Sequence, residues 1–155
     1  MRVVQTLFNR NYTASVLDGD VLRRDLDYSP ASRSGNIRRA GEVAKLLLNA
    51  DSIVVAAFIF PYLDDRSYLR ALLGEDCFYE VFLNCPLDIY KKRDSKGLYG
   101  KARSSLITGF TGITAPDEVP KFPDLVIPTG QLDSKQSADC LLSFILQRSQ
   151  LPSPG

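Results

Sequence analysis

A parallel α/β fold is what this sequence predicts, and three observations carry it. Ile53-Val54-Val55-Ala56-Ala57-Phe58-Ile59 is apolar without alternation, as in a strand covered by helices on both faces. Segments of strand character alternate with segments of helical period, which gives a sheet sandwiched between helices. Ala14-Ser15-Val16-Leu17 reads as a short buried strand that ends in Asp18-Gly19-Asp20. Carboxylates at the C-terminal edge of a parallel sheet stand where such folds hold their ligands. At 155 residues the expectation is one domain over 1–150, with a frayed tail over 151–155.

Taken in order, residues 2–10 predict a helix with a stripe of Val3, Val4, Leu7 and Phe8. Asn11-Tyr12 turns the chain into the strand at Ser15-Val16-Leu17. A polar, arginine-rich connection runs from Val21 to Ser34. A helix follows from about Gly35 to Asn49, with Ile37, Ala40, Val43, Ala44, Leu47 and Leu48 inward. After the apolar run at 53–59, Asp65 to Leu73 is helical and Phe78 to Leu83 is a third strand. Pro86 suits the first turn of a short helix to Lys92. Residues 94–122 show no clear period and mix glycine and proline with basic and aromatic side chains; a loop of that length is usually functional, here read as a lid. Leu125-Val126-Ile127 is the last strand. Asp133 caps a helix to about Gln147, with Ala138, Leu141, Leu142, Ile145 and Leu146 inward.

Composition narrows the function classes. Nineteen basic against eighteen acidic side chains leave a net charge of +1, which does not argue for nucleic acid or a membrane surface as a partner. The absence of histidine excludes Ser-His-Asp and Cys-His nucleophile systems and argues against zinc. Cys77, Cys85 and Cys140 have no metal-like spacing and read as buried free thiols of a reducing compartment. The longest apolar run is too short to span a bilayer, and no signal-peptide core is visible, so the expected location is the cytoplasm.

Three clusters could carry chemistry. In the first, a carboxylate of Asp18-Gly19-Asp20 could orient a metal-bound water or accept a hydroxyl proton, with Arg23 close by to hold an anion; the same residues could equally form a plain strand-to-loop turn. The second is Arg33 with Asn36-Ile37-Arg38-Arg39, an anion site at a helix start or simply a solvated face. The third lies in the long loop, where Lys101 and Arg103 could close over phosphates and Phe110 could stack on a base. No G-x-x-x-x-G-K-[ST] phosphate loop occurs in the 155 residues.

In sequence order these clusters read D-G-D, N-I-R-R-A-G-E-V-A-K, A-A-F-I-F-P-Y, R-D-S-K-G-L-Y-G-K-A-R and F-T-G-I. The arrangement resembles the adenylylsulfate kinase family over residues 12 to 147. Those enzymes phosphorylate adenosine 5′-phosphosulfate (APS) at its ribose 3′-hydroxyl. The resemblance implies a P-loop-kinase-like three-layer α/β sandwich with a mostly parallel sheet. It also implies ATP with Mg²⁺ as co-substrate, APS as partner, and a possible homodimer.

Residue by residue, Asp20 matches the acid that handles Mg²⁺ and the 3′-hydroxyl proton, with Asp18 beside it. Arg23, Arg33 and Asn36 match groups that bind the phosphosulfate and ribose. Tyr28 stands where the family has an adenine-packing Phe, and Ile59 lies in the substrate-lining segment. Lys101 matches the lid lysine and Phe110 the second ring of the adenine sandwich. Arg93 matches the lid arginine near ATP, with Arg103 farther along the lid. Two opposed rings and fixed guanidinium forks suit a purine carrying a phosphosulfate.

The chain departs from the family pattern at several points. The family's first strand, central in its sheet, and the Gly-rich loop after it have no counterpart here, so the strands beside that position are expected to want ladder partners. Val21, Phe60, Leu63 and Gly100 replace the family's Asn, Ser, Arg and Lys. The expectation is a kinase impaired or inactive as these residues stand. The alternative is a pseudokinase that binds APS or a related nucleotide without turnover, or a chain that pairs with a second one supplying the strand.

Overall fold

The computed structural model describes residues 2–22, 30–93 and 118–149. Its elements alternate as expected: α1 (Arg2–Asn9), β1 (Ala14–Asp18), α2 (Gly19–Leu22), α3 (Pro30–Asn49), β2 (Ile53–Ala57), α4 (Leu63–Leu73), β3 (Val81–Asn84), α5 (Leu87–Lys92), β4 (Leu125–Pro128) and α6 (Ser134–Arg148). The proposed lid at 94–117 and the tail lie outside the described residues.

Among the described residues all strand pairing is parallel. β1 pairs with β2 from Ala14↔Ile53 to Asp18↔Ala57, and β3 pairs with β4 from Val81↔Leu125 to Asn84↔Pro128. Among the described residues these are two separate two-stranded sheets, and β2 and β3 share no ladder. Helices α3 and α4 pack together, with α3 against β1 and β2. Helices α1 and α6 also pack together, α1 against β1 and α6 against β4.

Local chemistry explains where the elements begin and end. Helix α3 starts five residues before the expected Gly35, at Pro30, whose fixed φ and missing N–H suit a first helical position. Its buried face is Ile37, Ala40, Gly41 and Ala44, while Val43 is 39% exposed, against expectation. A Cβ on Gly41 would stand 2.4 Å from Leu69 Cδ2, so the glycine lets α3 and α4 approach closely. In α1, Val3 and Leu7 are buried as expected, but Phe8 is exposed on the next face of a two-turn helix.

β2 stops at Ala57 because its partner β1 stops at Asp18, so Phe58 and Ile59 leave the strand. β3 starts at Val81 rather than Phe78, since side chains hold the preceding backbone. Arg70 Nη1 donates to the Phe78 carbonyl, and Asp124 Oδ2 accepts from the Glu80 N–H at 2.7 Å. Cys77 and Cys140 are exposed and Cys85 partly so, which corrects the expectation of buried thiols; all three are free.

Helix α6 opens with a full capping box. Asp133 Oδ1 accepts from the N–H groups of Lys135 and Gln136 at 2.8 Å each, and Gln136 Oε1 accepts from the Asp133 N–H at 2.9 Å. The backbone hydrogen bond from Gln136 is the main reason the Asp133 carboxyl lies below its ordinary range, with the Lys135 N–H adding to it. A lowered folded-state value stabilises the fold above the ordinary carboxylate range and loses that contribution as pH falls through the folded value. Asp133→Asn should therefore flatten the acid limb of the thermal-stability profile while keeping the cap, and Asp133→Ala should lower stability at neutral pH. Melting curves between pH 7 and pH 3 check both.

Candidate active site

The site builds from the end of β1. Leu17 is buried and anchors the strand, so Asp18 emerges at its C-terminal edge and Gly19 and Asp20 begin α2. Asp18 Oδ1 accepts from the Asp20 N–H at 2.8 Å. That bond ties the Asp18 carboxylate to the backbone of Asp20, whose side chain is solvent-exposed in the first turn of α2. Because Asp18 pairs with Ala57, the segment after β2 leaves the same edge. Ile59, half exposed, therefore stands at the same end of the pair as Asp18 and Asp20.

Asn36 lies in α3, nine-tenths buried, where its Oδ1 accepts from Arg39 Nη1 at 2.7 Å. Arg38 stacks on Tyr68 of α4, 4.9 Å from the ring centre. Both arginines are thus engaged, and they sit well past the first turn of a helix that begins at Pro30. The sequence reading of Arg38 and Arg39 as a helix-start anion site is corrected accordingly. Arg93, just past α5, donates from Nη1 to the Thr129 carbonyl at 2.7 Å, at the C-terminal end of β4. Arg33 falls in the first turn of α3, its side chain outside the described residues. Arg23, Tyr28, Lys101, Arg103 and Phe110 also lie outside them.

The structure adds a cluster that the sequence reading did not single out. Arg66 on α4 is 7% exposed, and its guanidinium donates to the carbonyl of Phe60 and, at 2.6 Å, to that of Glu118. Its Nε lies 2.7 Å from Glu80 Oε1, an ion contact whose angles fall short of an aligned hydrogen bond. Glu118 closes the knot from the other side. Its N–H donates to the Pro61 carbonyl at 2.9 Å, and its Oε2 accepts from the Leu63 N–H at 2.6 Å. Next to it, buried Asp65 accepts from Ser34 Oγ at 2.9 Å, joining α4 to α3. The segment carrying Ile59 is therefore pinned at its far end. The available signal was Glu80, a carboxylate inside an apolar strand pattern that needs a partner.

Among the described residues no group of three or more acidic, Cys or His side chains could cage a metal ion. A solvent-exposed carboxylate such as Asp20 is compatible with Mg²⁺, since that ion usually keeps several waters and binds through one or two carboxylates and substrate phosphates. An open cleft of about 510 Å³ between α1 and α6 is lined by Arg2, Thr6, Lys135 and Asp139, among others, and by none of the predicted site residues. No helix among the described residues is long and apolar enough to cross a membrane.

Comparison with known proteins identifies the family. The family model described as adenylylsulphate kinase matches residues 1–128. An adenylyl-sulfate kinase of Geotalea daltonii is 47% identical over 150 residues, covering 94% of this chain and 74% of that protein. A probable adenylyl-sulfate kinase of Bacillus subtilis is 46% identical over 146 residues, covering 92% and 74%. Among solved structures, the Mycobacterium tuberculosis APS kinase CysC in complex with AMPPNP and APS superposes with a TM-score of 0.81 at 37% identity, covering 96% of this chain and 87% of that one. With the acidic edge of β1 in place and most of its length matched, this chain belongs to the adenylylsulfate kinase family of phosphotransferases, on the P-loop-kinase fold.

Proposed function

We propose that this chain carries the acceptor side of an adenylylsulfate kinase site. It binds APS and presents the ribose 3′-hydroxyl for phosphorylation by ATP, giving 3′-phosphoadenosine 5′-phosphosulfate. The observation that carries the reading is the edge where Asp18, Asp20 and the Ile59 segment emerge together from paired strands. A carboxylate displayed there can accept the proton as the hydroxyl attacks phosphorus. Asp18 holds the Asp20 backbone, so the carboxylate is aimed by the fold. Mg²⁺, held at Asp20 and by phosphate oxygens, would supply charge neutralisation on the transferring group.

On the substrate side, Asn36, whose carboxamide oxygen accepts from Arg39 Nη1, would contact a ribose or phosphosulfate oxygen. Arg23, Arg33 and Lys101 would hold the anion, and Tyr28 and Phe110 the adenine. Arg93 and Arg103 would serve the ATP side. Three free cysteines suit a reducing compartment such as the cytoplasm, with a homodimer as one possible assembly.

The 155 residues contain no Gly-rich loop ending in Gly-Lys-Ser/Thr. In phosphotransfer on this fold, backbone N–H groups and a lysine from such a loop hold the β- and γ-phosphates. We therefore expect calorimetric titration of the chain to show saturable APS binding and at most weak Mg-ATP binding, with phosphoryl transfer impaired. That outcome fits an impaired kinase or an APS-binding pseudokinase, and a γ-phosphate transfer assay separates the two. No APS binding would sink the proposal.

A further inference from the structure

The turn between β2 and α4 is held by a residue far along the chain. Strand pairing ends at Asp18↔Ala57 and α4 begins at Leu63, so residues 58–62 belong to neither a ladder nor a helix. Their backbone polar groups still need partners. Arg66 takes two of the carbonyls, with its guanidinium on Phe60 and its backbone N–H on Tyr62 at 3.4 Å. The carbonyl between them, Pro61, accepts from the Glu118 N–H at 2.9 Å. Arg66 also donates to the Glu118 carbonyl, so the ring of bonds closes on Glu118.

The start of α4 depends on the same residue. The first N–H groups of a helix have no partner within it, and a Ser, Thr, Asp or Asn just before them usually serves as the cap. Here that position is Tyr62, extended at φ −111° and ψ 134°, and its side chain makes no cap. Asp65, in the first turn, is committed to Ser34. The Leu63 N–H is met instead by Glu118 Oε2 at 2.6 Å, from 55 residues away. A carboxylate at that end also suits the helix dipole. Glu118 thus grips the turn twice, by its backbone at Pro61 and by its side chain at Leu63, although the residue is exposed.

What the grip controls is Ile59. The Pro61 side chain is fully buried, and the Phe58 and Phe60 rings meet with centres 5.4 Å apart. In an extended segment successive side chains alternate, so Ile59 turns away from that ring pair and stands half exposed. One end of the span is fixed by the β1 ladder at Ala57, the other by Glu118. Loosening the second end frees Ile59 to swing about the first.

We infer that Glu118 is a positioning residue of the acceptor site: by capping α4 from a distance, it fixes the turn that presents Ile59 to the bound nucleotide. This rests on the proposed reading of Ile59 as part of the APS pocket and names what sets that residue in place. A carboxylate accepting a backbone N–H makes a bond of the stronger, charge-assisted kind. Without it the competent turn is only fractionally populated, and the apparent affinity for APS falls by that fraction.

The experiment uses the whole chain, with its isoleucine methyl groups labelled for NMR, followed by calorimetric titration with APS. Glu118→Ala should weaken APS binding about tenfold, the effect of losing one hydrogen bond to a charged group. In the same variant the Ile59 methyl resonance should shift and broaden, while those of the buried Ile37 and Ile127 stay in place. Glu118→Gln keeps an oxygen for the Leu63 N–H and should restore both readouts. Leu63→Pro deletes the same bond from the donor side, at a first helical position where proline is accommodated. It should displace the Ile59 methyl likewise, and it carries the test should Glu118→Ala fold poorly. Combining the two should add little, since both remove one bond. An Ile59 methyl unmoved in both variants, or core methyls moving as much as Ile59, would overturn the inference. So would unchanged APS affinity in Glu118→Ala when the parent binds APS. A parent that binds no APS would sink the proposed function, while the methyl spectra, which need no nucleotide, still decide what Glu118 holds.

Discussion

Arg66→Met should unfold in urea at a much lower concentration than the parent, with a stability loss on the order of 3–5 kcal/mol. The side chain is 7% exposed, and its Glu80 partner is 18% exposed. Methionine preserves much of the apolar stem but leaves the Glu80 carboxylate and the Phe60 and Glu118 carbonyls without the guanidinium that served all three. An uncompensated buried charge costs more than the ion pair itself contributes, so the single substitution is the damaging step. Adding Glu80→Gln to Arg66→Met should recover part of the loss, with a coupling of about 1–3 kcal/mol. Arg66→Lys should fall in between, because an ammonium cannot reach three partners with a planar fork. For a protein whose whole stability is on the order of 5–15 kcal/mol, the single change approaches unfolding. Urea midpoints at constant m-value check the series. A loss below about 1 kcal/mol would show that the knot is an exposed ion pair in solution.

The parts of this molecule that were legible in the sequence share a cause: their signal is local. The apolar run at 53–59 and the strand ending in Asp18 declare parallel strands, and the structure pairs 53–57 with 14–18 in register, although Ala56 and Ala57 are exposed rather than covered on both faces as expected. Asp133 declares a helix start, and the structure adds Gln136 to complete a capping box. The illegible parts depend on partners distant in sequence. Nothing near Arg66 announces that its guanidinium meets residues 52 positions later at Glu118. Glu80 in a strand pattern hinted at a partner without naming it. Val43 obeys the helical period of α3 yet is exposed, because the close approach of α4 at Gly41 narrows the covered face.

The same division runs through the site. The position of Asp18 and Asp20 was readable because the strand ends there, at the edge of the pair. Ile59 was assigned by resemblance, and the Asp18↔Ala57 register explains why it belongs at that edge. Arg38 and Arg39 read as either a helix-start anion site or a solvated face; the helix begins at Pro30, so they are not at its start, and they are exposed beside Tyr68 and Asn36. Sequence spacing alone does not tell a guanidinium that meets a ligand from one that meets the protein.

Asp20→Asn should reduce the residual γ-phosphoryl transfer to APS that the parent chain supports at high Mg-ATP by a factor on the order of 10²–10⁴, to below detection if that residual rate is small, the usual contribution of a positioned proton acceptor. It should leave APS affinity within about threefold, since the carboxylate acts on the hydroxyl during attack and not on the phosphosulfate. Asparagine keeps the size of the side chain, and the Asp20 N–H continues to donate to Asp18, so the turn at the end of β1 survives. The contrasting change is Asp18→Asn. There the amide oxygen can still accept from the Asp20 N–H, so the turn should hold and turnover should fall far less. A positioning role for Asp18 and a chemical role for Asp20 are thus separated by two near-isosteric substitutions at one strand edge. The assay is transfer of labelled γ-phosphate from Mg-ATP to APS, run beside calorimetric APS titration. Equal losses in both variants would assign the edge a shared structural role, and Asp20→Asn turning over like the parent would move the proton acceptor elsewhere.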